Sequence, residues 1–181
     1  SSDVCSSDLL SDWFSGNPMP PGEDDVFSRV VKIDSSKYIR FVQWDTPEDF
    51  QELLLNILIE ELELSGPEDI TAFDKTLGAV EVNGNTYFNT GAAEKAEDWQ
   101  IISPVRGLTH GVQEINRLIH KHFRQKTIDF ANKKFSQIPR PMGDEEIVYG
   151  DKVINVYNHP RKNVFPRETA AGYLANGEIG I

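Results

Sequence analysis

The chain has 181 residues, 39% of them hydrophobic and 26% charged, with a formal net charge of −11. That composition belongs to folded globular chains rather than disordered ones, and the length suits one ordinary domain or one and a part. No apolar run approaches a bilayer span and Cys5 is the only cysteine, which argues against a transmembrane helix, an internal disulfide and a thiolate metal site.

The charge is unevenly spread. Residues 1–100 hold 6 Lys/Arg against 21 Asp/Glu, while residues 101–181 hold 12 against 8. Between 103 and 140 there are eight basic residues and two acids, Glu114 and Asp129. The second half is therefore suited to face a polyanion while the first stays solvated. The start lacks a basic region followed by an apolar one, so no secretory leader is expected and a cytoplasmic setting fits.

Residues 1–9, "SSDVCSSDL", are polar and unlike the rest of the chain. Asp3–Leu9 can be back-translated into a string that resembles a common sequencing-library adapter; the other reading is a natural Ser/Asp-rich tail. Either way this stretch is set aside in reasoning about the fold. Trp13-Phe14 closes a short helix, and "SGNPMPPGEDD" reads as a loop. "YIRFVQWD", 38–45, is rich in aromatic and β-branched residues and predicts a strand. It leads into "TPEDFQELLLNILIEELELSGP". Thr46 is an N-cap, Pro47 takes the first helical position, and Glu48 and Asp49 complement the dipole. Phe50, Leu54, Ile57, Leu58 and Leu62 recur at helical spacing, and Gly66-Pro67 is the expected stop.

Residues 67–78 predict a weaker helix. "VEVNGNTYF", 80–88, carries Asn-Gly between β-type residues and predicts a hairpin. "AAEKAED" is a short helix. "WQIIS", 99–103, predicts a strand of a buried parallel sheet. "PVRGLTHG" is a loop. "VQEINRLIHKHFR" is an amphipathic helix with Val112, Ile115, Leu118, Ile119 and Phe123 inward. A basic linker with Pro139 and Pro141 comes next. From Ile147 the texture changes to short β segments, ending in a hairpin centred on Asn176-Gly177 whose later strand partners are expected downstream. No internal repeat is apparent.

Phosphate-loop, dinucleotide, zinc-protease and serine-hydrolase motifs are missing, so no catalytic residue is assigned. His120 and His122 are two apart on a helix and point to different faces, whereas a shared metal face needs i,i+4 spacing; no metal site is expected. The acid runs Glu23-Asp24-Asp25 and Asp144-Glu145-Glu146 read as solvated loop charge. The informative stretch is "WQIISPVRGLTHGVQEINRLIHKHFR". A strand ends, a glycine-containing loop turns and a helix begins, an arrangement that favours a phosphate at the helix N-terminus. Ser103, Thr109 and the amides near Gly111 are suitable donors, and Arg106 adds a charge that does not titrate away. Lys121, Arg124, Lys126, Lys133, Lys134 and Arg140 continue the positive field. A plain sheet–helix turn with a basic solvated face fits the same spacing.

The segment "WQIISPVRG…GV…INRLIH" resembles the beginning of the second motor domain of superfamily 1 DNA helicases of the RecD-like branch, the UvrD-like C-terminal region. A second segment, "GDKVINVYN…GYLANGEIGI", resembles the signature that opens a small SH3-like barrel inserted in that domain. The match covers residues 99–181 well and Leu10 to about Glu97 more loosely. The resemblance implies an α/β fold: a RecA-like (P-loop NTPase type) motor-domain fragment with a truncated SH3-like β-barrel insertion. It implies four parts: a tail at 1–9, the end of the first RecA-like domain with its connection at 10–98, the start of the second at 99–142, and the incomplete barrel at 143–181. The parent would be an ATP-dependent helicase using ATP and Mg2+ on single-stranded DNA, with the phosphate loop and magnesium motif before Leu10 and the nucleotide-reaching arginine beyond this chain. This chain alone would hold no complete cofactor site and would be inactive as an ATPase. The expected DNA contacts are Ser103, Arg106, Thr109 and His110 near backbone phosphates, with Asn155, Asn158, Arg161 and Lys162 on the barrel. A rival reading is a non-enzymatic acidic α/β adaptor for a protein or peptide; a small-molecule enzyme has no motif in its favour.

Overall fold

The computed structural model describes residues 15, 40–89, 91–160 and 173–181. The chain divides into two compact units, Ser1–Asp45 and Thr46–Ile181. In the first, residues 40–45 of the expected strand 38–45 have no regular structure, and Phe41 and Trp44 are exposed; Tyr38 and Ile39 lie outside the described residues. Strand propensity is realised only against a pairing neighbour, and this stretch has no ladder partner among the described residues. The helix expected to end at Trp13-Phe14 lies outside them.

The second unit begins with α1, Pro47–Glu61. Its start follows local chemistry. Thr46 Oγ1 accepts the Asp49 amide at 3.1 Å, and the Asp49 carboxylate accepts the Thr46 amide at 3.2 Å, a reciprocal capping box with Pro47 as the first helical residue. Its end does not follow Gly66-Pro67. The Leu64 amide reaches back to the Ile59 carbonyl and the Glu63 amide to that of Glu60, with Glu63 left-handed at φ 54°. This is a Schellman closure, with Glu63 where glycine is usual and with Leu64 buried just beyond it.

Asp69 caps α2, Ile70–Thr76, by accepting the Ala72 amide at 3.0 Å. Next come β1, Ala79–Val82, and β2, Asn85–Phe88, paired antiparallel with Val82 opposite Asn85. Asn83 and Gly84 both take positive φ, 52° and 79°, as the two-residue hairpin turn requires. The short helix α3, Ala92–Ala96, approaches Gly78 so closely that a Cβ there would meet the Ala92 backbone at 2.6 Å. The long helix α4 spans Val112–Ala131.

Residues 99–103 form no strand. The Trp99 ring lies against the main core, but Ile102 is 88% exposed, the opposite of a strand buried on both faces. Short apolar runs carry no periodicity that separates strand from irregular chain; neighbours decide. The fold class is thus mixed α/β in the coarse sense, with no parallel pair among the described residues. Three two-stranded antiparallel sheets are present there: β1–β2, β3 (Val153–Ile154) with β6 (Ile179–Gly180), and β4 (His159–Pro160) with β5 (Tyr173–Leu174).

These last two pairings correct the C-terminal hairpin. Only Gly177 of the Asn-Gly pair is left-handed (φ 95°), and β5 and β6 pair not with each other but with 153–160. The Asn155 amide donates to the Glu178 carbonyl and the Gly177 amide to the Asn155 carbonyl, so Asn176-Gly177 kinks one arm of a longer antiparallel ribbon. Among the described residues, the pairing partners of β5 and β6 lie upstream, in 153–160.

The main core joins Leu64, Phe73, Leu77, Ala96 and Phe123, flanked by Leu55, Ile59, Trp99, Ile119 and Ile181 among others. Phe73 and Phe123 stack with centroids 3.9 Å apart. A smaller cluster joins Ile128, Ala131 and Val148 under Ile138. Residues on both sides of positions 98 and 142 therefore share the cores of one compact unit.

Candidate nucleic-acid interface

The loop 103–111 leads directly into α4. Its polar groups are turned inward. The Ser103 hydroxyl donates to the His110 carbonyl at 2.8 Å and accepts the Val105 amide at 3.3 Å. The amides of Val112 and Gln113 donate to the carbonyls of Val105 and Arg106, and that of Gly111 to Leu108. The amides expected to receive a phosphate are thus spent on closing the loop. Glycine is required at 111 because a Cβ would lie 2.5 Å from the Arg106 carbonyl oxygen. Thr109 is half-buried, and His110 sets its ring edge-on to Phe50 of α1 at 6.3 Å. Arg106 is exposed. Of the four residues expected here, Arg106 presents its side chain outward; Ser103 and His110 brace the loop that carries it.

On the C-terminal ribbon, Asn155 is half-buried and its side-chain amide donates to the carbonyls of Tyr157 and Ala175, at 2.6 and 2.7 Å. The Asn158 side-chain oxygen accepts the Asn176 amide at 2.7 Å. Both asparagines tie the ribbon together. Arg161 and Lys162 lie outside the described residues.

The positive field also changes. Arg124, expected on the basic face, is 3% exposed and lies in the interior. Its guanidinium pairs with Asp74 Oδ1 and, at 3.2 Å, with Asp151 Oδ1; it also donates to the Gly150 carbonyl and lies over the Phe73 ring. Thr86 Oγ1 donates to Asp74 at 2.8 Å, and the Val148 amide donates to Asp151 at 2.8 Å. His120 Nε2 lies 3.0 Å from Asp151 Oδ2; an ionised carboxylate only accepts, so this nitrogen carries the hydrogen. His122 turns to the Pro67 carbonyl instead, so the two histidines do occupy different faces. A signal for this hub existed in the sequence: His120, Arg124 and Ile128 recur every four residues, one stripe of a helix.

Around the hub, Lys152 Nζ donates to the carbonyls of Ala96 and Trp99, and burial pushes its ammonium below the usual lysine range while Glu97 opposes the shift. Lys126 pairs on the surface with Glu68, which holds that carboxyl below its ordinary range. Lys121 and Arg140 remain exposed, and Lys133 and Lys134 lie over the rings of Phe130 and Phe135.

Among the described residues no group of three or more His, Cys, Asp or Glu side chains could hold a metal, and no helix is long and apolar enough to cross a membrane. No family model, curated protein or solved structure matches the chain.

Proposed function

We propose that the chain is a piece of an ATP-dependent DNA helicase of the RecD-like branch of superfamily 1, and that it contributes part of the single-stranded DNA surface of the second motor domain. On this reading the α/β unit is RecA-like and the ribbon after Ile147 belongs to an SH3-like insertion. The parent protein is cytoplasmic and works with ATP and Mg2+. The observation that carries the proposal is the order of two sequence segments, "WQIISPVRG…INRLIH" and "GDKVINVYN…NGEIG", within residues 99–181. Their contact adds support. His120, the last residue of the first segment, contacts Asp151 of the second, and Arg124, one helical turn further along α4, takes both Asp151 and the Gly150 carbonyl. Exposed Arg106 on a braced loop is suited to a phosphate, a contact that positions a strand without reading its sequence.

The test is equilibrium binding to labelled single-stranded oligonucleotides across a salt series. The parent chain should bind weakly and without sequence preference. Arg106→Ala should weaken every sequence alike and reduce the salt slope by about one unit at most. No ATP turnover is expected from this chain, because phosphoryl transfer needs a phosphate cradle, magnesium ligands and a charge-stabilising arginine together. Salt-insensitive binding to a protein partner, with no binding to DNA, would instead favour the acidic adaptor.

A further inference from the structure

The turn that follows α4 displays an aromatic ring where none is needed for folding. Ala131 and Ile128 are buried at the end of the helix, and Ile138 packs on the same small cluster, so the chain is anchored on both sides of the turn. Between these anchors the Ser136 amide donates to the Lys133 carbonyl at 3.2 Å, and the Ile138 amide to Ser136 Oγ at 3.2 Å. Lys134 and Phe135 are therefore the corner residues of a hydrogen-bonded turn. Phe135 is 89% exposed, and Lys134 Nζ lies 5.7 Å from its ring centroid. One turn back on the helix, Phe130 is also exposed, with Lys133 Nζ 5.6 Å from its centroid.

The two lysines have a plain structural explanation, since cations just beyond a helix C-terminus complement its dipole. That explanation does not reach Phe135. An apolar ring exposed at a turn corner adds little burial to the fold, and a cation, Lys134, lies over it. A flat apolar face beside positive charge suits a ligand that has flat faces and negative charge in alternation, as single-stranded nucleic acid does.

We propose that Phe135, with Phe130, is a base-stacking platform for single-stranded nucleic acid, and that Lys133 and Lys134 hold the adjoining phosphates. This rests on the nucleic-acid reading above and adds a second, chemically different contact to it. Arg106 lies before the N-terminus of α4 and this turn beyond its C-terminus, and a 20-residue helix is about 30 Å long. The strand would thus be held by charge at one end of the helix and by stacking at the other.

Two probes separate these contacts: a fluorescein-labelled oligothymidylate and an abasic oligonucleotide of equal length, which keeps the phosphates and lacks the bases. Phe135→Ala should weaken oligothymidylate binding by about 5- to 100-fold, the range for losing one stacked base, and leave the abasic probe unchanged. Lys133→Ala with Lys134→Ala should weaken both probes alike. Phe135→Trp should keep the affinity, and its added emission should be quenched by oligothymidylate but not by the abasic probe. Equal binding of parent and Phe135→Ala to oligothymidylate, or equal losses on both probes, would overturn the platform while leaving the Arg106 contact standing. If the parent chain binds neither probe, the nucleic-acid reading itself fails and the platform with it.

Discussion

Replacing Arg124 should cost more stability than any other single surface or core charge in the described unit. Its guanidinium serves three acceptors at once, the carboxylates of Asp74 and Asp151 and the carbonyl of Gly150. The Asp74 and Asp151 side chains are only 8% and 13% exposed, so water cannot replace it. Breaking a buried pair by removing one partner typically costs about 3–5 kcal/mol, because the remaining charge stays buried. Here Asp74 keeps the Thr86 hydroxyl, and Asp151 keeps His120 and the Val148 amide, which softens the loss. Arg124→Met is therefore expected to lose about 3–4 kcal/mol, a large part of the roughly 5–15 kcal/mol that holds a domain together. Arg124→Lys keeps the charge but cannot fork to three acceptors, and should lose about half as much. Adding Asp151→Asn to Arg124→Met should cost less than the two single losses together, since the same network is broken once. Urea denaturation followed by circular dichroism and by the emission of Trp99, which packs on the core, measures all of these. A loss below about 1 kcal/mol for Arg124→Met, the range of exposed pairs, would refute the argument that this network is buried and structural.

Other perturbations have equally definite outcomes. Gly150→Ala should destabilise by about 2 kcal/mol in the same assay, because Gly150 has φ 92° and a Cβ would lie 2.8 Å from the Phe88 ring; a neutral effect would refute the left-handed backbone and close approach at Gly150. Glu63→Gly should be neutral or stabilise by up to about 1 kcal/mol, as relief of the left-handed strain is partly offset by the freer unfolded chain. Asp69 is held below its ordinary value of 3.8 first by the Ser65 hydroxyl, then by the Ala72 and Ser65 amides. A depressed carboxylate contributes stability that is fully present above the unfolded pKa and lost as pH falls through the folded one. Asp69→Asn should therefore flatten the acid side of the stability profile, and parallel profiles for parent and variant would contradict the capping role. In hydrogen exchange, amides in the middle of α4 should be far slower than those of 99–103, which belong to no ladder or helix, with 153–158 between them; protection of 99–103 equal to that of α4 would mean that a paired strand forms there after all.

What the sequence determined by itself was local. Thr46, Pro47 and Asp49 start α1 through bonds that span three residues, Asn83-Gly84 turns a hairpin through its own backbone preferences, and spacing alone marks Ile115, Ile119 and Phe123 on the inner face of α4, although Val112, expected on the same face, is exposed. Each outcome is decided within one or two turns of chain, so neighbours in sequence suffice to fix it. Loop 103–111 was also legible as a glycine-containing lead into a helix, and Arg106 as its exposed charge. The roles of Ser103, His110, Asn155 and Asn158 were not, because a polar side chain that braces its own loop has the same letter as one that waits for a phosphate. Arg124 makes the point most sharply. In the sequence it is one of eight basic residues in a solvated-looking run, and only the arrival of Asp74 from 50 positions upstream and Asp151 from 27 downstream turns it into the centre of the interior. The same holds for Asn176-Gly177, where a strong local turn preference yields to Val153–Asn155 as a pairing edge, and for Trp99–Ser103, whose strand propensity goes unused without a neighbouring strand. Pairing and charge burial join residues far apart in the chain, and their free energies, a few kcal/mol each, exceed the tenths that separate one local conformation from another. Tertiary structure therefore decided these sites, and the sequence alone had no term with which to weigh them.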